Sequence, residues 1–254
     1  MRTFFVLFTR ELRGLFYTPI AYVVLFFYLA FLGVNFQLSV TALNRQTTEL
    51  TLVEVMFTMY SLFWFVIPLL FPLITMRVFA DEYRMGTIET LVTAPVNDWQ
   101  IVFAKFFGVV FFYILLLAPS FVYFALFGWI SGGVAPVQSA GTYWSVYLLL
   151  LLIGMFFLSI GLFASSLVRD QLNAAIISLV MIIMYMFLPI MMGFLLNSTD
   201  PRFASIRRFV SPIDHMSDFA RGLVDSRPVV WYLSMTALFL MLTHQVFQSR
   251  KLKS

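Results

Sequence analysis

From Phe106 to Val168 the chain carries no charged side chain. As a single helix rising 1.5 Å per residue, this run would be roughly 95 Å long, about three bilayer cores, so it must fold back once. Gly128, Gly132, Gly133, Pro136 and Gly141 cluster where that turn is needed. The run therefore divides into two crossings, about 101–127 and 143–167, with Trp129 and Trp144 at the interface. No water-soluble domain hides such a stretch. The rest of the 254 residues agree, being 61% hydrophobic and only 11% charged, with a mean hydropathy of +0.94. In hydrocarbon every backbone polar group must be satisfied internally, and long continuous apolar runs do this as helices, so the class is an all-α membrane protein.

Four further runs, about 20–40, 55–80, 172–196 and 229–247, bring the expected crossings to six within a single transmembrane domain, 1–254. Pro19 falls in the first turn of the first, where a missing N–H is harmless. The second holds Pro68 and Pro72, one turn apart, which should kink the helix, as a candidate gating kink, or line a deformable seam. Gly154, Ser159, Gly161 and Ser165 give the fourth a small-residue face, read as a packing seam. Residues 2–17 are amphipathic, with Phe5, Phe8, Leu12, Leu15 and Phe16 on one side and Arg2, Thr9 and Arg13 on the other. They predict a helix along the membrane surface, bracing the first crossing. Arg10, Glu11 and Arg13 interrupt the opening apolar residues, which do not read as a cleaved signal peptide.

Between the second and third crossings, residues 81–98 hold Asp81, Glu82, Arg84, Glu89 and Asp98. So dense a polar stop must lie in water. Thr87 is a good N-cap, Glu89 places an anion in the first turn, Ile88, Leu91 and Val92 share a face, and Pro95 forbids continuation. This predicts a short amphipathic helix of about two turns, with Gly86 freeing the backbone to turn before it.

Glu82-x-Arg84-x-Gly86-Thr87-Ile88-Glu89-x-Leu91, followed by Pro95-Val96, resembles the signature before the third span of type-2 ATP-binding-cassette (ABC) exporter permeases. The resemblance implies that residues 87–94 are the coupling helix contacting a separate ATP-hydrolysing subunit, and that residues 2–17 are an elbow helix. It also implies that the short Arg169-Asp170 hairpin forms a second, minor contact with that subunit. ATP and magnesium would then be bound by the partner, two copies of it, with this chain holding no cofactor or metal. A second permease chain, identical or homologous, would complete the pathway, with an auxiliary envelope protein as a further partner. Ser211-Pro212-x-Asp214-His215, with Arg221-Gly222-x-x-Asp225, resembles the last external loop of the same permeases, particularly their gliding-motility-associated branch.

With six crossings both termini face one side. Placing them inside puts ten basic residues in the cytoplasm against six outside, five of the six sharing a loop with four aspartates. The short loops favour termini inside, in the cytoplasmic membrane of a prokaryote. That orientation also leaves residues 81–98 on the ATP side.

Composition excludes several functions. A carrier driven by protons or ions usually buries ionisable residues in its crossings, and none is expected deep in any of these; Arg77 and His244 lie near ends. No G-x-x-x-x-G-K-[ST] loop is present, so an ATPase must be another chain. Zero cysteines exclude thiolate chemistry, and no contiguous basic surface suggests nucleic acid. Two alternatives stand beside an exporter permease. One is a non-transporting subunit that transmits ATP-driven force to envelope proteins. The other is a membrane enzyme using Asp214, His215 and Asp218, although the two aspartates are more simply read as helix caps or partners of Arg221.

Overall fold

A computed structural model of the chain describes residues 2–45, 52–57, 62–87, 97–130, 140–195 and 201–251. Within them the protein is helical throughout and has no strand. Six segments are long and apolar enough to cross a membrane: Pro19–Asn44, Phe63–Met85, Asp98–Trp129, Gly141–Leu167, Gln171–Gly193 and Ser226–Arg250.

The elements are α1 (Arg2–Phe16), α2 (Pro19–Arg45), α3 (Leu52–Phe57), α4 (Phe63–Thr75), α5 (Ala80–Met85), α6 (Asp98–Leu117), α7 (Ser120–Ile130), α8 (Ala140–Leu167), α9 (Gln171–Leu195), α10 (Pro201–Val210), α11 (Pro212–Ala220) and α12 (Ser226–Lys251). The expected coupling helix and most of the glycine-rich turn, residues 88–96 and 131–139, lie outside the described residues.

The fourth crossing, α8, is the hub and packs against α4, α6, α9, α11 and α12. Its small-residue face explains how. A Cβ on Gly154 would stand 2.1 Å from the Tyr113 ring of α6, and one on Gly161 would stand 2.1 Å from Thr75 Oγ1 of α4. Neither approach is open to any other residue without moving a neighbour. The contact is knitted by the Tyr113 hydroxyl, which donates to the Leu150 carbonyl at 3.0 Å, and by Phe71 meeting Tyr113 and Phe157 at 5.3 Å each. The second, third and fourth crossings are consequently 67–78% buried, whereas the first, fifth and sixth are 22–28% buried and leave long apolar faces for lipid or another chain.

Two crossings are broken rather than straight. The second was read as one helix from about Val55 to Ala80. In the structure α3 precedes it as a separate piece, tied down where Asn35 Nδ2 donates to the Met56 carbonyl at 3.2 Å and Trp64 Nε1 to the Phe57 carbonyl at 3.0 Å. The α4 helix runs through both Pro68 and Pro72, and the irregular turn comes after them, at Met76–Phe79. Ser165 of α8 accounts for that position. Its hydroxyl accepts the Phe79 and Ala80 amides at 3.0 and 3.1 Å and reaches the Met76 carbonyl at 3.2 Å, replacing the helical bonds lost there. The third crossing breaks between α6 and α7 at Ala118–Pro119, where proline has no N–H to continue the ladder.

The N-terminal helix turns Phe8, Leu12, Leu15 and Phe16 inward as expected and differs at Phe5 and in its partner. Phe5 is 63% exposed, while Phe4, Leu7, Phe8 and Glu11 turn inward. Its main neighbour is α6, through Phe4–Phe107, Phe8–Phe111 and Phe16–Phe112 ring pairs 5.7–6.4 Å apart, rather than the first crossing. Packing against an aromatic ridge on α6 takes Phe4 in place of Phe5 and keeps the rest of the expected face.

Candidate functional site

The α5 helix carries the first residues of the predicted coupling stretch, with Asp81 and Glu82 in its first turn, where carboxylates favour the positive helix end. Glu82 is buried, and its Oε1 lies 2.9 Å from Lys105 Nζ. Lys105 sits two turns into α6 and is only 2% exposed. All three of its N–H groups find oxygen: Glu82, Glu11 of α1 at 3.0 Å, and the Val78 carbonyl at 2.8 Å. The Phe79 ring lies 5.1 Å from the same ammonium. Arg10, largely exposed, approaches Glu82 Oε1 at 3.9 Å, and Glu82 Oε2 has no hydrogen-bond partner.

Lys105 stands near the start of the third crossing and is nonetheless buried within the protein, because two carboxylates from other elements neutralise it. Lys105 is the last charge before the long uncharged run and Glu11, between Arg10 and Arg13, is the one carboxylate of α1, so both were visible in the sequence; their meeting was not.

Three further elements hold α5. Arg77 pairs with Asp81 at 3.8 Å and donates from Nε to Gln171 at 3.1 Å, while Gln171 Nε2 donates to Asp81. Arg77 thus reaches a partner in α9. Gln171 directly follows Arg169 and Asp170, which are exposed, so the short hairpin lies beside α5. From the end of α12, the Arg250 guanidinium lies 4.4 Å from the centre of the Tyr83 ring and donates to the Leu167 carbonyl at the end of α8. Nearby, His244 stacks on Trp99 at 4.2 Å, and Asn97 caps α6 by accepting the Trp99 amide.

Of the residues predicted to contact an ATPase, Glu82 faces inward to the junction and Arg84 is exposed. Gly86 closes α5 at φ 70°, a left-handed conformation that favours glycine. Thr87 ends this described segment, while Ile88, Glu89, Leu91 and Pro95 lie outside the described residues. Pro68 and Pro72 line two apolar grooves. Pro72 meets Val24, Leu69 and Ile176 in a groove of about 420 Å³, and Pro68 meets Trp64, Ile183 and Phe187 in the other.

At the opposite end of the bundle α11 packs on α8 and α3. Ser211 caps it by accepting the Asp214 amide at 3.2 Å, so the cap is the serine and not an aspartate. Arg221 pairs with Glu54 of α3 at 3.4 Å, a partner too far along the chain to be read locally. His215 Nδ1 lies 3.0 Å from the Tyr232 hydroxyl. Burial pushes the His215 pKa below its usual value, against the opposing pull of Asp214 and Asp218. Among the described residues no three His, Asp or Glu side chains are grouped as a metal site.

The molecule so described has a polar, multiply tied segment at one end of a six-crossing bundle, with a motif running onward from Glu82. Comparison with curated proteins gives no match. The sequence model of the ABC-2 family transporter protein matches residues 8–252. With nearly the whole chain matched, the protein belongs to the ABC-2 family and is the multi-pass membrane permease subunit of an ABC transporter, a family that works with a separate ATP-binding subunit.

Proposed function

We propose that this permease couples ATP hydrolysis by its partner subunits to export across the cytoplasmic membrane, with both termini on the ATPase side. The observation that carries the reading is the way α5 is held. Lys105 ties it to α6 and α1, Ser165 ties its start to α8, Gln171 ties it to α9, and Arg250 ties it to α12. A force delivered just beyond Gly86 therefore loads four crossings and the N-terminal helix at once.

In this mechanism two permease chains, identical or homologous, sit above two ATP-binding subunits that hold the ATP and magnesium. Closure of those subunits presses on residues 87–94. Ile88 and Leu91 seat in the partner's groove, Arg84 and Glu89 make charge-assisted contacts with it, and Pro95 ends the helix. Arg169 and Asp170 form the minor contact. The second and third crossings then tilt as α5 moves, with the grooves at Pro68 and Pro72 giving α4 room to shift.

The test is affinity purification of the tagged permease with identification of co-purifying chains, followed by ATP turnover of the complex in proteoliposomes. An ATP-binding subunit is expected in the eluate. The double variant Arg84→Ala with Glu89→Ala should insert normally and lose permease-stimulated turnover. Undisturbed stimulation would overturn the coupling assignment.

A further inference from the structure

Between the fifth and sixth crossings lies a groove of about 260 Å³, floored by Phe156 and Ile160 of α8 and walled by α9 and α12. Val210, the last residue of α10, closes one end. Along α12 the groove runs from Trp231 to Phe239, about two turns or roughly 12 Å at 1.5 Å per residue. That stretch lies inside the sixth crossing, and both flanking crossings are only 22% buried, so the groove opens to hydrocarbon. The lining offers no free polar side chain. The Tyr185 hydroxyl donates to the Val210 carbonyl at 3.0 Å and accepts the Trp231 indole N–H at 3.1 Å, which occupies both. The part of any occupant that lies here is an apolar chain.

The end closed by Val210 has a different character. A Phe209–Trp231 ring pair at 5.2 Å and the Tyr185 bond dock the last turn of α10 over the groove. Arg207 and Arg208 stand on that turn and are exposed. Arg207 lies along α9, its Cδ 3.7 Å from where a Cβ on Gly193 would stand. Gly193 ends the fifth crossing, which puts this turn at the level of lipid headgroups. The α10 helix contains no carboxylate, and among the described residues neither arginine is ion-paired, whereas Arg221 and Arg227 are, to Glu54 and Asp225. Asp214 and Asp218 of α11 pair with neither of the two free arginines. An arginine fork gives a phosphate two parallel N–H bonds whatever the charge on the rest of the head.

We propose that a bilayer phospholipid occupies this position, with one acyl chain in the groove and its phosphate held by Arg207 and Arg208. The lipid would wedge α10 against the ends of α9 and α12 and so fix the loop that joins the fifth and sixth crossings. The site is independent of the coupling mechanism proposed above, which acts through α5.

The experiment uses the full-length permease without nucleotide or ATPase, in phosphatidylcholine vesicles doped with one of two tracers. Both tracers carry the same diazirine-bearing acyl chain; one is a phosphatidylcholine and the other a diacylglycerol, which lacks the phosphate. After illumination, labelled peptides are quantified by mass spectrometry, with the exposed face of α2 at Tyr22 and Phe26 as the reference for ordinary lipid contact. The phospholipid should label the groove at Met181, Leu188 and Met235 several-fold above that reference, and the diacylglycerol should label both alike. The double variant Arg207→Gln with Arg208→Gln alters only exposed side chains and should bring the phospholipid down to the reference level. Met235→Trp, which fills the groove and leaves both arginines in place, should do the same. Phospholipid labelling at the reference level, as a second copy covering the groove would produce, overturns the proposal; so does equal enrichment of the two tracers, or enrichment that survives either variant.

Discussion

Lys105 and Glu82 approach to 2.9 Å inside the protein, and the carboxylate of Glu11 completes the group from the far side at 3.0 Å from the same nitrogen. Each member is held by a different helix, so the charge balance exists only when α1, α5 and α6 are together. Replacing Lys105 with Met would strand the buried carboxylate of Glu82 and the half-buried one of Glu11. A loss of about 3–5 kcal/mol is expected, the usual consequence of removing one partner from a buried pair. Denaturation in detergent measures it, and the triple variant Lys105→Met, Glu11→Gln, Glu82→Gln should recover most of the loss.

The seam on α8 makes a steric prediction with an internal control. Gly154→Ala drives a methyl to 2.1 Å from the Tyr113 ring, and overpacking of this kind costs about 1–3 kcal/mol. Gly14→Ala meets open space and gains helix propensity, up to about 1 kcal/mol. Thermal unfolding of the two variants should therefore shift in opposite directions.

Ser165 offers a prediction that local exchange can read. Its hydroxyl accepts two amides at the α4–α5 break, and alanine there leaves both without a partner. Hydrogen exchange at Phe79 and Ala80 should accelerate in Ser165→Ala, with a stability loss of about 1–3 kcal/mol. Unchanged protection at those amides would mean the break is held by something other than the serine.

His215 predicts the response to acid at the other face. Burial lowers its folded pKa, so the unfolded chain binds a proton that the folded chain refuses. Stability is then full above the unfolded value of about 6.5 and falls as pH drops below it, until the folded group also titrates. Thermal scans at pH 7.5 and 5.5 should show this decline, and His215→Gln should flatten it.

The six apolar crossings, the amphipathic N-terminal helix and the polar stop at residues 81–98 were legible because each is a one-dimensional pattern. Length, helical period and charge density are properties of consecutive residues. The seam on α8 was legible for a related reason: Gly154, Gly161 and Ser165 recur on one face whatever they touch. The break after Thr75 was not. Pro68 and Pro72 lie inside an unbroken α4, since a proline inside a membrane helix leaves it continuous when its neighbours absorb the lost bond, whereas Ser165, far along the chain, supplies the partner that makes a break tolerable at Met76–Phe79.

The amino-acid sequence by itself determined that this chain enters a membrane, how often it crosses and where its polar stretch must emerge, because hydrocarbon imposes those terms on every residue in turn. Only the tertiary structure decided which helix α1 packs on, which carboxylates receive Lys105 and which helix receives Arg221. Those outcomes depend on distances between residues as far apart along the chain as Glu54 and Arg221, and a buried charge takes whichever partner the packing of apolar helices brings within reach.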